Sequence, residues 1–200
     1  MPGVPGYESK VRQVMGRYVE GVAEVSQDKM GSFIAAHTGS APRPRIMLAG
    51  HMDEIGFMVR HITDEGFVKF QALGGWWDQV LLGHRVVVKT RNGDVIGVLG
   101  AKPPHLLDGE ERKKVVEKKD MYIDVGATSK EQVGEMGVRI GDPIIPVSEF
   151  TFMAREGAYL SKAFDNRLGC ALAIEALRRV ASEGHPNRVY AVGTVQEEVG

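Results

Sequence analysis

Two short apolar runs, RIMLAG (residues 45–50) and RVYAVGTV (residues 188–195), constrain this chain more than any other feature. Each is continuous rather than alternating, the pattern of a strand covered on both faces. Each also ends in acid-rich sequence: His51-Met52-Asp53-Glu54 follows the first and Gln196-Glu197-Glu198 the second. In open α/β sheets, ligands collect beyond the C-terminal ends of the strands, where loops converge without disturbing the sheet. A third stretch, SKAFDNRLGC (residues 161–170), places Asp165 at the start of a helical pattern. In that pattern Cys170, Ile174, Leu177 and Ala181 share one face until Gly184 and Pro186 stop it.

Between the two apolar runs the texture changes. Short β-branched runs at residues 86–90, 95–99, 121–125 and 143–147 alternate with Gly, Asp and Asn turns, and Asn92-Gly93 between VVVKT and VIGVLG signals a two-residue hairpin. Ahead of the first run, Val11, Val14, Met15, Tyr18 and Val19 recur at helical spacing. The order helix, strand, β-rich insert, helix, strand predicts an α/β fold with a mixed sheet, built from residues 1–59 and 158–200, interrupted by a small all-β, barrel-like domain at 60–157. The charged stretch 108–120 carries no apolar stripe and reads as a solvated loop or short exposed helix.

Composition narrows the function classes. Lys plus Arg (25) nearly balance Asp plus Glu (26), so bulk charge steers the chain toward neither nucleic acid nor an anionic membrane. No apolar run approaches the roughly 20 residues that a membrane-spanning helix needs, and the first residues lack the basic-then-apolar pattern of a secretory signal. The cytoplasm is the expected location. The single cysteine, Cys170, excludes an internal disulfide and sits in an apolar helical pattern, as a buried structural thiol would.

Each candidate site residue, taken alone, has an ordinary reading. Asp165 is suited to cap the helix that follows it, His51 to be a hydrogen-bonded or exposed histidine, and Glu197-Glu198 to be an acidic strand end. Gathering four or five ionised carboxylates in one place is unfavourable without a cation, so convergence of these strand ends would imply bound metal.

The combination LAGHMDEIGFMV, SKAFDNRLGC and TVQEEVG, in this order and with a β-rich segment after the first, resembles the M42 metallo-aminopeptidases, the glutamyl and deblocking aminopeptidase group. PGVPGYE (residues 2–8), LGGWWDQ (73–79) and KPPHLL (102–107) extend the resemblance along essentially the whole chain. It implies that His51 is a metal ligand, that Asp53 orients its imidazole from behind, that Asp165 bridges two metals, that Glu198 is a terminal ligand and that Glu197 is the general base. Adjacent glutamates would take different roles because successive side chains on an extended segment point in opposite directions. Two divalent ions per complete subunit are implied, with zinc, cobalt or manganese suited to such donors, acting on peptide substrates. The insert would drive dimerisation toward a hollow dodecamer. Trp76 and Trp77 would be either barrel core or interface anchors, and His105 either a loop-stabilising residue or one that approaches a neighbouring subunit's site.

The resembled family carries a further aspartate and histidine downstream of the double glutamate, whereas this chain ends at Gly200. His37, His61, His84, His105 and His185 fit loops or the β-module better than a replacement ligand. The chain is therefore expected to be a fragment with an incomplete metal site. Two other readings stay open: a related metal-dependent deacylase or carboxypeptidase-like hydrolase, and a non-catalytic assembly module.

Overall fold

The structure is a computed structural model that describes residues 1–41 and 43–200. In chain order its elements are α1 (Ser9–Tyr18), β1 (Glu24–Gln27), β2 (Phe33–Thr38), β3 (Arg45–His51), β4 (Gly56–Ile62), β5 (Phe67–Leu73), β6 (Arg85–Thr90), β7 (Gly93–Gly100), β8 (Tyr122–Asp124), α2 (Lys130–Glu135), β9 (Pro143–Pro146), β10 (Thr151–Phe152), β11 (Tyr159–Leu160), α3 (Phe164–Glu183) and β12 (Arg188–Thr194). They form two compact units, Met1–Glu54 with Phe150–Gly200, and Ile55–Glu149. The insert is thus shifted from the expected 60–157. Residues 56–59 belong to β4, which pairs with β9 through Phe57 and Ile144, and residues 151–160 form the separate β10–β11 hairpin.

In the first unit the four-stranded sheet has the order β1, β2, β12, β3, apart from the β10–β11 hairpin. β12 runs antiparallel to β2 and parallel to β3, so the sheet is mixed. Alternation decides what is buried: Phe33 and Ala35 of β2, and Val189 and Ala191 of β12, pack with Val11 and Met15 of α1 and with Cys170, Ala173, Ile174 and Leu177 of α3. Completely burying side chains such as Phe33 and Leu177 stabilises the fold by about 1.5–3 kcal/mol each. Tyr18, expected on the buried face of α1, is exposed, and that face is completed by Val19 just beyond the helix. The run at 45–50 also departs from expectation. As the outer strand β3, with α3 packed on it, it leaves Met47 67% exposed. β12, flanked on both sides by strands, is largely buried.

The second unit closes into a barrel of strand order β4, β5, β8, β7, β6, β9. Phe57, Val59, Val68, Val86, Val88, Leu99, Ile123 and Ile144 fill it. Trp76 stacks on Phe57 with ring centroids 4.8 Å apart and donates its indole N–H to the Gly56 carbonyl at 3.0 Å, whereas Trp77 is exposed. The hairpin joining β6 and β7 pairs Thr90 with Gly93, so its turn is Arg91-Asn92, one residue earlier than expected. Residues 108–120 form exposed loop with two 3-10 turns, Glu111–Lys113 and Lys118–Asp120. Among the described residues no helix is long and apolar enough to cross a membrane.

Candidate metal centre

All five candidate residues belong to the first unit, and its topology brings their backbones together. β3 and β12 are parallel neighbours with Thr194 opposite His51, so the segments that follow leave the sheet side by side. The third segment arrives through a close packing of helix on strand. A Cβ at Gly50 would lie 2.6 Å from the Cys170 amide nitrogen and 2.8 Å from the Gly169 carbonyl carbon, so only glycine lets the start of α3 approach β3 this closely.

His51 is the hub. Its Nε2 lies 3.0 Å from Asp165 Oδ1 and 3.8 Å from Glu197 Oε2. Its Nδ1 lies 3.2 Å from the Asp53 carbonyl oxygen and 3.5 Å from Asp53 Oδ1. Both ring nitrogens therefore face acceptors. Burial pulls the imidazole pKa down, but the hydrogen bond that the ring donates to Asp165 and the charges of Asp53, Glu197 and Asp165 outweigh it, and the net displacement is upward.

Asp165 is not the helix cap that its position allows. It has an extended conformation, and the cap hydrogen bond is made by the next residue, Asn166 Oδ1, from the Gly169 amide at 3.0 Å. The Asp165 carboxylate is instead 89% exposed apart from its contact with His51, and so is free to take a cation. Glu197 and Glu198 likewise differ from expectation. Gln196 turns into the left-handed region (φ 57°) and the two glutamates begin a 3-10 turn, Glu197–Val199, rather than extending the strand.

Asp53 helps to hold that turn: it is fully buried and accepts the amide N–H groups of Glu197 at 3.2 Å and Glu198 at 3.0 Å. Its nearest approach to the imidazole is through its own carbonyl, so this aspartate orients the glutamates as directly as it orients the ring. Nothing in the sequence pattern points to this contact, because backbone donors carry no side-chain signature. The Glu198 carboxyl is pushed above the usual range by burial and by the charges of Asp53, Glu197 and Asp165, against the opposing effect of His51.

Sequence reasoning also missed Glu54. It is buried and paired with Lys162 at 3.0 Å and Arg167 at 3.3 Å, and Arg167 Nε further donates to the Met52 carbonyl at 3.0 Å. The spacing of Lys162 and Arg167 on either side of Asp165 was the available signal. Cys170 is buried, and its thiol donates to the His51 carbonyl at 3.3 Å. His37 lies in β2 rather than in a loop or the barrel, 2.7 Å from His185.

Among the described residues, no three or more His, Cys, Asp or Glu side chains are already arranged around a common metal position. The chemistry of the donors nevertheless suits one. A single imidazole faces Asp53, Asp165, Glu197 and Glu198, an excess of negative charge that a divalent cation would offset.

An α/β domain interrupted by a β-barrel, with one imidazole and several carboxylates at adjoining strand ends, is an architecture that known proteins share. The model of the M42 glutamyl aminopeptidase family matches residues 31–200, and the chain belongs to that family. It is 36% identical to the lysyl aminopeptidase of Pyrococcus furiosus, covering all of this chain and 57% of that protein. The TET aminopeptidase of a marine sediment Thaumarchaeota archaeon superposes with a TM-score of 0.96 at 50% identity, over 100% of this chain and 57% of that one. For the Pyrococcus horikoshii TET1 peptidase, which assembles into a tetrahedron or a large octahedral shell, the TM-score is 0.87 at 35% identity, over 100% and 59% of the two chains. The chain thus spans little more than half the length of the relatives it matches.

Proposed function

We propose that this chain carries the general base and part of the metal-binding set of a metal-dependent aminopeptidase that removes N-terminal residues from peptides. The observation that carries this reading is the junction of β3 and β12, where Asp53 holds the amides of Glu197 and Glu198 beside the His51–Asp165 pair. His51, Asp165 and Glu198 would hold divalent ions, zinc or cobalt first and manganese also compatible with imidazole and carboxylate donors. Such ions, when bound as a pair, acidify a water molecule and stabilise the oxyanion developing at the scissile carbonyl.

The chain's own residues do the rest. Glu197, exposed and 3.8 Å from His51, takes the proton of the attacking water on its carboxylate and returns it to the leaving amine. Asp53 fixes the direction of that carboxylate through the backbone. His51 keeps Nδ1–H on the Asp53 carbonyl, which leaves Nε2 as the ligating atom. The family model is described as glutamyl and the P. furiosus relative is named lysyl. What they share, a free N-terminal residue released from a peptide, is the substrate class proposed here. Dimerisation through the barrel unit and assembly into a closed shell belong to the same reading, supported by the assemblies of the TET1 peptidase. The exposed Trp77 is available as an anchor.

The test is calorimetric titration of Zn²⁺, Co²⁺ and Mn²⁺ into the purified protein, beside Asp165→Asn and Glu198→Gln. It is paired with hydrolysis of a panel of aminoacyl, acylated and C-terminal substrates, in the 200-residue chain and in whatever length its gene encodes. Metal binding lost in both variants, with cleavage only of substrates bearing a free amine, is the expected result. Binding that both variants retain, or cleavage only of acylated or C-terminal substrates, sinks the assignment.

A further inference from the structure

Three consecutive amides leave the end of β12, and two buried carboxylates hold them. Asp53 takes those of Glu197 and Glu198. The first, Gln196 N–H, points to Glu8 Oε1 at 3.1 Å, across 188 residues of sequence. Glu8 is 4% exposed, and the same oxygen receives the Gly6 amide at 2.8 Å. It lies outside residues 31–200, the part that the family model matches.

Burying a carboxylate is unfavourable unless hydrogen bonds replace its water. Both donors here are backbone N–H groups, of the 3–8 segment and of the turn that carries the two glutamates, so the carboxylate ties those two segments together. The Gln196 end of that tie is the strained one. Gln196 has φ 57°, a conformation that a residue with a side chain adopts only when its surroundings enforce it. A charged acceptor at its amide is such a constraint, because hydrogen bonds to an ionised oxygen are about twice as strong as neutral ones. Released from Glu8, the turn would keep the Asp53 contacts, one and two residues further on, and its own bonds from the Val199 and Gly200 amides, but nothing at the Gln196 amide itself.

We infer that Glu8 is a positioning residue for Glu197: by holding the Gln196 amide it sets the direction in which the chain leaves β12, and with it the aim of the general base. This rests on the reading of Glu197 given above. Glu8 touches no reacting atom, and its effect passes through one backbone amide.

The experiment follows the Gln196 amide by ¹H–¹⁵N NMR in the metal-free chain, in the natural sequence and in Glu8→Gln, Glu8→Asp and Glu8→Ala. Glu8→Ala, and Glu8→Asp with its shorter reach, should move the Gln196 resonance upfield and speed amide exchange across 196–198. Glu8→Gln keeps an acceptor oxygen and should restore much of both. In the metal-loaded enzyme, kcat for an aminoacyl substrate should fall about 10- to 100-fold in Glu8→Ala, the range typical of residues that orient a site from behind, with KM little changed and with partial recovery in Glu8→Gln. A Gln196 amide indifferent to Glu8→Ala overturns the inference, as does a loss of activity in Glu8→Ala that Glu8→Gln does not relieve. Should Glu8→Ala fail to fold, Glu8→Asp carries the same comparison. Should the natural sequence cleave nothing while the Gln196 amide responds as expected, the fault lies with the peptidase assignment, and the hold of Glu8 on the turn stands.

Discussion

Asp53 accepts the backbone N–H of Glu198 at 3.0 Å, joining two strand ends that lie 145 residues apart in sequence. The same buried carboxylate takes the Glu197 amide, so one side chain sets where both glutamates begin. Asp53→Asn keeps the size but replaces one acceptor oxygen with a donor aimed at an N–H. It should weaken Zn²⁺ binding by about 10- to 100-fold, the usual effect of losing a partner behind a ligand. Calorimetric titration measures the change. Asp53→Asn with unaltered affinity would show that the glutamates hold their places without it.

At Gly50 the start of α3 comes too close to β3 to leave room for a Cβ. A methyl group there meets the backbone of Gly169 and Cys170 rather than a flexible side chain, so the helix itself must move. Overpacking of this kind costs about 1–3 kcal/mol. Gly50→Ala should lower the denaturation midpoint accordingly and also weaken metal binding, because Asp165 is carried on the displaced segment. A variant as stable as the natural sequence by urea denaturation would show that the contact is softer than the geometry indicates.

Cys170 sits directly behind His51, its thiol donating to the His51 carbonyl. Burial, with a smaller contribution from the Asp53 charge and against that of Arg167, pushes its pKa up to about 11. At pH 8 only about one thiol in a thousand is then the reactive thiolate. Cys170 should resist a thiol reagent such as iodoacetamide in the folded chain and react promptly in urea. Rapid labelling of the native protein would place the thiol at the surface and remove it from the packing behind the site.

What could be read from sequence was whatever a local pattern encodes. The apolar run ending at Val195 became the largely buried β12, and the motifs around Asp165 and Glu197 brought both side chains within 3.8 Å of His51. The exposure of Met47 was not legible, because an outer strand and a flanked strand share the same apolar composition and differ only in sheet order. The left-handed Gln196 and the roles of Asp53 and Glu8 as acceptors for its turn escaped for a related reason. They depend on backbone N–H groups, which every residue but proline possesses. Asp165 was readable as a cap or as a ligand. Only the structure shows the cap to be Asn166, which leaves the Asp165 carboxylate for His51.

The pairing of His51 with Asp165 makes a prediction whose sign is fixed. In the metal-free chain the imidazole pKa is raised, so the folded state binds a proton at His51 more tightly than the unfolded chain does. This contribution to stability is fully present below the unfolded value of about 6.5 and is lost as pH rises through the raised folded value. Metal reverses the preference, since Nε2 must give up its proton before it can ligate. Affinity for Zn²⁺ should therefore climb with pH across that same interval, with proton release on binding, while the stability of the metal-free chain declines. In Asp165→Asn the hydrogen-bonding carboxylate is gone, so the His51 titration should shift to lower pH. Following the His51 ring proton by NMR tests this directly, and a titration unmoved by Asp165→Asn would show that the contact between them does not persist in solution.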